Sequence, residues 1–498
     1  GQESVIGIRS PVLTGPGACG AFMILEDRVP IRPAGFCNVN ELFEVNSEQA
    51  DAVEVVRGPA SNLYGSNALH GMINVIVAMP ERARRVSVEA GPDGYLRGKL
   101  DIGDASEDNG YRILLNGTHD GGWRDDSGYD QQKLNAGWQT RLAGGNLVAN
   151  FAATNLNQET AGFILGKDAY QDNSQRKSNP FPEAYRDAES QRLAARWERR
   201  LNNGLDVAVT PYARRSRMEF LQHFLPGQPL EENGHTSAGL ISTATFAREG
   251  LTTIVGVDLE WADIFLRQIQ DGPTEGSPFL VETRPEGKHY DYDVTSIGIA
   301  PYVQSDWQIR DRLLLSAGLR VEYLRYDYDN RMLTGNTRDD GSECGFGGCL
   351  YSRPADRDDS FTNLAPKLAL SYELDEQASL YANLARGFRA PQATELYRLQ
   401  SGQQVADLDS ERIDSAELGL RLQGPSAAFD IAAFAMRKRD SVLRDSSGFN
   451  VSGGRNRHEG VELAWDLQLH DFWRLAANGT WARHTYDFDV VAARGETF

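Results

Sequence analysis

The sequence predicts an all-β membrane protein, an antiparallel transmembrane barrel that follows a smaller mixed α/β domain. Three observations predict it. From Arg84 onward, apolar and polar residues alternate with period 2 in stretches that recur about every two dozen residues. Short and long connections between those stretches take turns along the chain. No stretch approaches the roughly 20 continuous apolar residues of a membrane-spanning helix, so a helical membrane protein is excluded and a β-barrel is not.

The composition is compatible with this. At 498 residues, length alone suggests two to four soluble domains, but 49 Gly, 18 Tyr and 8 Trp describe many short strands and polar turns. A mean hydropathy of -0.47 does not exclude a barrel, whose strands alternate and never look apolar on average. The net charge of -19 argues against a nucleic-acid binder, which needs Lys and Arg to neutralise phosphates.

Residues 1–82 lack tryptophan, are rich in Gly, Asn and Val, and read as short strands and turns with one helix near 39–50. Residues 83–498 read as strands. Val461, Leu463, Trp465, Leu467 and Leu469 alternate with Glu462, Ala464, Asp466 and Gln468, so one face suits hydrocarbon and the other water. Ala416, Leu418, Leu420 and Leu422 against Glu417, Gly419, Arg421 and Gln423 repeat the pattern, which a sandwich also produces.

The connections separate the two. Turns such as Gly144-Gly145, Arg248-Glu249-Gly250, Arg310-Asp311 and His470-Asp471 are short, whereas 161–185, 217–233, 264–292, 328–358 and 389–409 are long and polar. Short turns at one rim and long loops at the other belong to outer-membrane barrels, with the long loops outside the cell. Aromatics near strand ends, among them Trp138, Trp197, Tyr212, Trp261, Tyr302, Trp307, Tyr372, Tyr381, Trp473 and Trp481, are candidates for the interfacial girdles. About seventeen strands follow Arg84, and single-chain bacterial barrels close with an even number, so C-terminal strands are expected beyond this chain.

The four cysteines form two close pairs, Cys19 with Cys37 and Cys344 with Cys349, as expected of disulfides in an oxidising compartment; four unrelated thiols are the alternative. No cysteine has the His neighbours or CxxC spacing of a zinc site.

Residues 55–76, Val-Val-Arg-Gly-Pro-Ala-Ser-Asn-Leu-Tyr-Gly-Ser-Asn-Ala-Leu-His-Gly-Met-Ile-Asn-Val-Ile, resemble the plug signature of TonB-dependent outer-membrane receptors. Ile24-Leu25-Glu26-Asp27-Arg28-Val29-Pro30 is similar to an earlier strand and turn of that family, with Arg28 where glycine is usual. Leu384-Ala385-Arg386-Gly387-Phe388-Arg389-Ala390-Pro391, Ser415 to Leu420 and Arg457 to Leu463 resemble its late barrel strands.

The resemblance implies a 22-stranded barrel, of which about 17 strands are present here, with the plug, residues 1–82, inside its lumen. It also implies coupling to TonB with ExbB and ExbD. The TonB-contacting box is expected upstream of this chain. Arg9 and Arg57 match plug arginines that in relatives pair with barrel glutamates, and strand parity nominates Glu417 and Glu462, with Glu322 also facing the lumen. Gly58, Gly65 and Gly71 are expected at tight or positive-φ positions.

No catalytic motif competes. Residues 162–167 lack the full spacing of a phosphate loop, His458 to Glu462 lies on a strand and lacks the second His of a zinc peptidase, and no GxSxG occurs. The expectation is a receptor in the bacterial outer membrane, surrounded by lipid and lipopolysaccharide, that takes up a ferric siderophore. It has no intrinsic cofactor, resident metal or nucleic-acid partner. Haem, cobalamin, copper or another metal complex are alternative cargoes, and a barrel enzyme or passive porin are distant alternatives. Phe22, Met23, Arg32 and Phe36 in the plug, and Arg176, Lys177, Arg267, Arg284, His289 and Tyr290 in the long loops, combine positive charge with aromatic surface suited to an anionic, ring-bearing chelate. Cys19 and Met23, four residues apart, suit a soft metal only if the thiolate is free.

Overall fold

The computed structural model describes residues 7–11, 21–37, 41–77, 79–201 and 204–488. A four-stranded sheet forms the heart of the N-terminal domain: β1 (Phe22–Glu26), β2 (Val29–Pro30), β3 (Ala50–Arg57) and β4 (Gly71–Val77), in the order β2-β1-β4-β3. The buried strand β1 pairs parallel with β4, from Phe22 opposite Gly71 to Glu26 opposite Val75. The β1–β2 turn places Asp27 at φ 48° and Arg28 at φ 70°. That left-handed geometry explains why glycine suits position 28 better than an L side chain.

In place of the single helix expected near 39–50 there are two 3-10 turns, Glu41–Glu44 and Ser47–Gln49. Residues 38–40 lie outside the described residues. The short helix α1 (Ser61–Tyr64) ends at Gly65, whose φ of 81° requires a residue without a Cβ. Gly58 has φ 88°, while Gly71 is needed because a Cβ there would strike the Val56 carbonyl.

The wall is a curved antiparallel sheet of 17 strands, each paired with the next, from Ala83–Ala90 to Trp473–Tyr486. Along Asn109–Asp120 burial alternates at every residue, with Tyr111, Ile113 and Leu115 exposed outward and Arg112, Leu114 and Asn116 buried on the lumen side. This is the inverse of a soluble core, because the polar row faces the plug and the apolar row faces hydrocarbon. The first and last wall strands are exposed along nearly their whole length on both faces.

Strands run to 24 residues (Gly287–Arg310), well past the roughly 9–11 that cross a bilayer. They therefore project on the long-loop side, and stretches expected to be loop, including parts of 217–233 and 264–292, are strand.

Cross-strand aromatic–glycine pairs shape the wall. Tyr212 lies opposite Gly239, Tyr302 opposite Gly256 and Tyr381 opposite Gly419, each phenol occupying the space a Cβ would need. Tyr212 and Tyr302 are buried on the lumen side, so these tyrosines cover glycines and are not girdle residues. Trp138, Trp261, Trp307, Tyr372, Trp473 and Trp481 are exposed on the outward face, as the girdle reading requires.

Strands Arg357–Glu373 and Ala378–Arg389 pair only from Lys367 opposite Ala385 to Glu373 opposite Ser379. Beyond that point they part. The long loops form a layer there, containing α2 (Pro278–Thr283), capped by the Ser277 Oγ, α3 (Ala393–Tyr397), opened by a Gln392/Glu395 capping box, and a miniature sheet pairing Tyr351–Ser352 with Leu399–Gln400.

Candidate functional site

The plug and wall meet through buried charge. Arg9 donates from Nε to Glu462 Oε1 at 3.0 Å, from Nη2 to Glu462 Oε2 at 2.8 Å and from Nη1 to Glu417 Oε2 at 2.7 Å. Its guanidinium also covers the Phe434 ring at 4.6 Å. Burial alone would lower the Arg9 pKa, but the two glutamates outweigh it and hold the group above its ordinary value. Arg57, half exposed, adds a 2.8 Å contact to Glu462. The structure thus brings Arg9, Arg57, Glu417 and Glu462 into one cluster, while Glu322 instead bonds Arg320 and accepts the Ser66 N–H at 3.3 Å.

Other plug acids are met by wall cations. Glu26 pairs with Arg192 and accepts from Asn135 at 2.7 Å, and Lys133 reaches Glu48 at 2.9 Å. Asp27 accepts from the Val77 N–H at 3.0 Å and from Asn150 at 2.7 Å. Burial dominates there and pushes its pKa up to about 7.

Two of the resembling motifs touch each other. The Ser61 Oγ accepts the Phe388 N–H at 3.1 Å, the Ser66 Oγ accepts the Ala390 N–H at 3.0 Å, and Gln392 donates to Asn67 at 3.2 Å. Where the wall has stopped pairing with its neighbour, plug side chains take over its amide donors. Gly387 permits this approach, since a Cβ there would sit 2.9 Å from the Leu69 carbonyl oxygen and 3.0 Å from Pro59.

Above the plug, Phe36 enters a buried aromatic layer with Tyr290, Tyr292, Tyr326, Tyr328 and Tyr397. Tyr328 and Tyr397 stack with centroids 4.1 Å apart. The Ala393 N–H, at the start of α3, donates to the Gly35 carbonyl at 2.8 Å, tying a loop to the plug tip. His289 stacks on Tyr351 at 4.4 Å, and the Tyr290 hydroxyl donates to the Leu399 carbonyl at 2.7 Å. Arg284 lies close by. Burial, reinforced by Arg398 and Arg444, holds its pKa below the ordinary value.

Arg284, His289, Tyr290 and Phe36 therefore converge in one region. Met23 and Arg32 line a small cavity of about 70 Å³ between plug and wall with Tyr64, Asn67, Glu260 and Arg320. The Arg32 charge is already met by Glu44, 2.8 Å from its Nε. Phe22 packs against His70. Arg176 and Lys177 lie apart in the 160–184 loop, Lys177 over Trp123. Arg267 stands on the outward row of strand Leu251–Gln270, alternating with buried Leu266 and Gln268, so the expectation that it lies in a long loop is corrected.

Cys344 and Cys349 form a disulfide in the loop layer. Cys37 is disulfide-bonded, and Cys19 lies outside the described residues. Sequence reasoning missed the buried chain Lys438–Glu411–Arg389–Glu395, in which Arg389 bonds Glu411 at 2.7 Å and Glu395 at 2.8 Å and Lys438 reaches Glu411 at 3.1 Å. Its signal was present, since Glu411 shares lumen parity with Glu417.

A small domain ion-paired inside a strand barrel defines the class of plugged outer-membrane barrels. Residues 89–497 match the family described as TonB-dependent receptor-like, β-barrel, and the chain belongs to that family, a family of the bacterial outer membrane. The metal-pseudopaline receptor CntO of Pseudomonas aeruginosa is 21% identical over 494 residues, which are 90% of this chain and 66% of that protein. The chain therefore spans slightly under two thirds of that relative.

Among solved structures, the ferric citrate transporter FecA aligns with a TM-score of 0.76 at 15% identity, over 97% of this chain and 72% of its own. The closed form of the ferric-catecholate import receptor Fiu from E. coli K12 aligns at 0.72 and 17%, over 100% and 78%. The copper transporter OprC aligns at 0.71 and 16%, over 93% and 71%. These share the fold.

Proposed function

We propose that the protein takes up a ferric siderophore across the outer membrane, with energy delivered through TonB, ExbB and ExbD. The observation that carries this reading is the meeting of Arg284, His289 and Tyr290 with the plug tip at Phe36 on the long-loop side, where cationic and aromatic groups suit an anionic chelate. The cluster of Arg9 with Glu417 and Glu462 supports a plug that is held by releasable charge pairs and is not fused to the wall. The relatives that resemble it are receptors and transporters and not enzymes.

A second reading, a different metal complex such as one of copper, is favoured by the Met23 thioether in the cavity wall and by the names of two relatives. Growth of a deletion strain on single sources of ferric chelates, haem, cobalamin and copper separates the readings. Loss of growth on ferric siderophores alone supports the first. Unchanged growth on every source would overturn both.

A further inference from the structure

We propose that His70 is a proton-sensitive latch, which keeps the plug seated on the late wall strands at neutral pH and releases it as the medium turns acid. His70 lies near the end of the plug signature, immediately ahead of β4, and is wholly buried. Its backbone is satisfied, the N–H donating to the Ala21 carbonyl at 3.0 Å and the carbonyl accepting the Gly58 N–H at 2.9 Å. Its ring is not, since neither Nδ1 nor Nε2 has a hydrogen-bond partner. A neutral imidazole can occupy this place as a flat ring, with Phe22 at 5.9 Å and the His458 ring edge-on at 5.2 Å. An imidazolium cannot do so without loss, because a buried charge needs a partner.

The wall opposite offers no such partner and adds positive charge. Met436, His458 and His484 stand directly opposite one another across three neighbouring strands, Ala427–Arg444, Asn450–His470 and Trp473–Tyr486. The Nδ1 atoms of His458 and His484 share a hydrogen bond of 2.9 Å, which holds only while one of the two nitrogens lacks a proton. Lys438 follows Met436 on the same lumen row. The lumen carboxylates along these strands already have cations. Glu411 is met by Arg389 at 2.7 Å and Lys438 at 3.1 Å, Glu417 by Arg9 at 2.7 Å, and Glu462 by Arg9 and Arg57, each at 2.8 Å. Leu69, Ile413, Phe434 and Met436 form an apolar cluster beside them. Burial accordingly holds the His70 pKa well below its ordinary value, and Lys438, His458 and His484 all push it the same way.

Once released from the wall, His70 regains an ordinary pKa of about 6.5. A base whose pKa is lowered in the docked state favours docking fully above about pH 6.5, and that contribution is lost as the pH falls below it. For the one proton that His70 takes up, each pH unit below about 6.5 shifts the balance about tenfold toward release. Asp27, whose pKa is pushed up, acts with the opposite sign, so the two dependences are separable.

The test uses the full chain in lipid nanodiscs and follows hydrogen exchange at the Phe388 and Ala390 amides, which plug Ser61 and Ser66 hold. Exchange in the parent is divided by exchange in His70→Phe at each pH from 8 to 5, which cancels the intrinsic pH dependence of the reaction. Phenylalanine keeps a ring against Phe22 and His458 and takes no proton. The ratio should be level from pH 8 to 7 and should rise about 30-fold by pH 5. His70→Gln, which also takes no proton, should give the same rise when it replaces the Phe variant. Heat-modifiable gel migration confirms that each variant is folded. A ratio that stays level down to pH 5 would overturn the proposal. So would an equal rise at the amides of strand Leu205–Leu221, which would mean a general loosening of the wall.

Discussion

Arg9 and Glu462, 453 positions apart in the chain, meet through two parallel hydrogen bonds of 3.0 and 2.8 Å, with both side chains almost wholly buried. Breaking a buried pair by removing one partner is costly because the other charge is left uncompensated. Arg9→Ala should therefore destabilise plug docking by about 3–5 kcal/mol. Arg57→Ala, which removes a half-exposed partner of the same glutamate, should cost about 0–1 kcal/mol. Hydrogen exchange at the amides of Ile24 and Leu25 reads the difference, and equal protection in both variants would contradict it.

Asp27 should make the plug sensitive to pH. Its folded pKa of about 7 exceeds the unfolded value of about 3.9, so the native state holds an extra proton between them. The associated stability is fully present below about pH 3.9 and is lost as the pH rises through about 7. Asp27→Asn keeps the left-handed backbone acceptable and removes the titration. Unfolding midpoints from pH 5 to 8 should decline less in the variant than in the parent. Parallel curves would assign the dependence to other groups.

Gly387→Ala should wedge the plug away from the wall, because the added methyl meets the Leu69 backbone and Pro59 at 2.9 to 3.0 Å. Overpacking of this kind costs about 1–3 kcal/mol. Gly98→Ala, where a Cβ meets nothing within 4 Å, is the matched control. Proteolysis of the plug in the folded barrel should quicken for the first variant only.

Opening the Cys344–Cys349 bridge, with Cys349 fully buried in the aromatic layer, should loosen the 331–356 loop and leave the wall intact. For so short a loop, loss of the crosslink is worth about 2 kcal/mol in the chain-entropy account. Cys344→Ser with Cys349→Ser should raise hydrogen exchange around Tyr351 without altering heat-modifiable migration. A collapsed barrel in the double variant would mean the bridge supports more than its loop.

The barrel was legible in the sequence because hydrocarbon on one side and a polar plug on the other enforce alternation residue by residue. The same parity placed Glu417 and Glu462 on the lumen face, where Arg9 reaches them. Parity failed where a strand outlasts the membrane. Arg267 looked like a loop cation because polar composition alone does not distinguish a loop from the projecting end of a strand. Tyr212, Tyr302 and Tyr381 looked like girdle residues because their lumen positions are set by glycines on neighbouring strands, which a linear pattern cannot pair. The docking of Ser61 and Ser66 on Phe388 and Ala390 joins segments more than 300 positions apart and carries no periodicity.

Arg9 precedes every strand of the plug sheet along the chain. Tension applied from that side would load its clamp before it reaches the β1–β4 ladder. The three hydrogen bonds bear such a load side by side, so they would yield together as one mechanical step. The parallel ladder behind it, entered from its Phe22 end, could then be opened one rung after another. The order in which residues occur along the chain would thus set the order of rupture, with a single high threshold followed by lower ones.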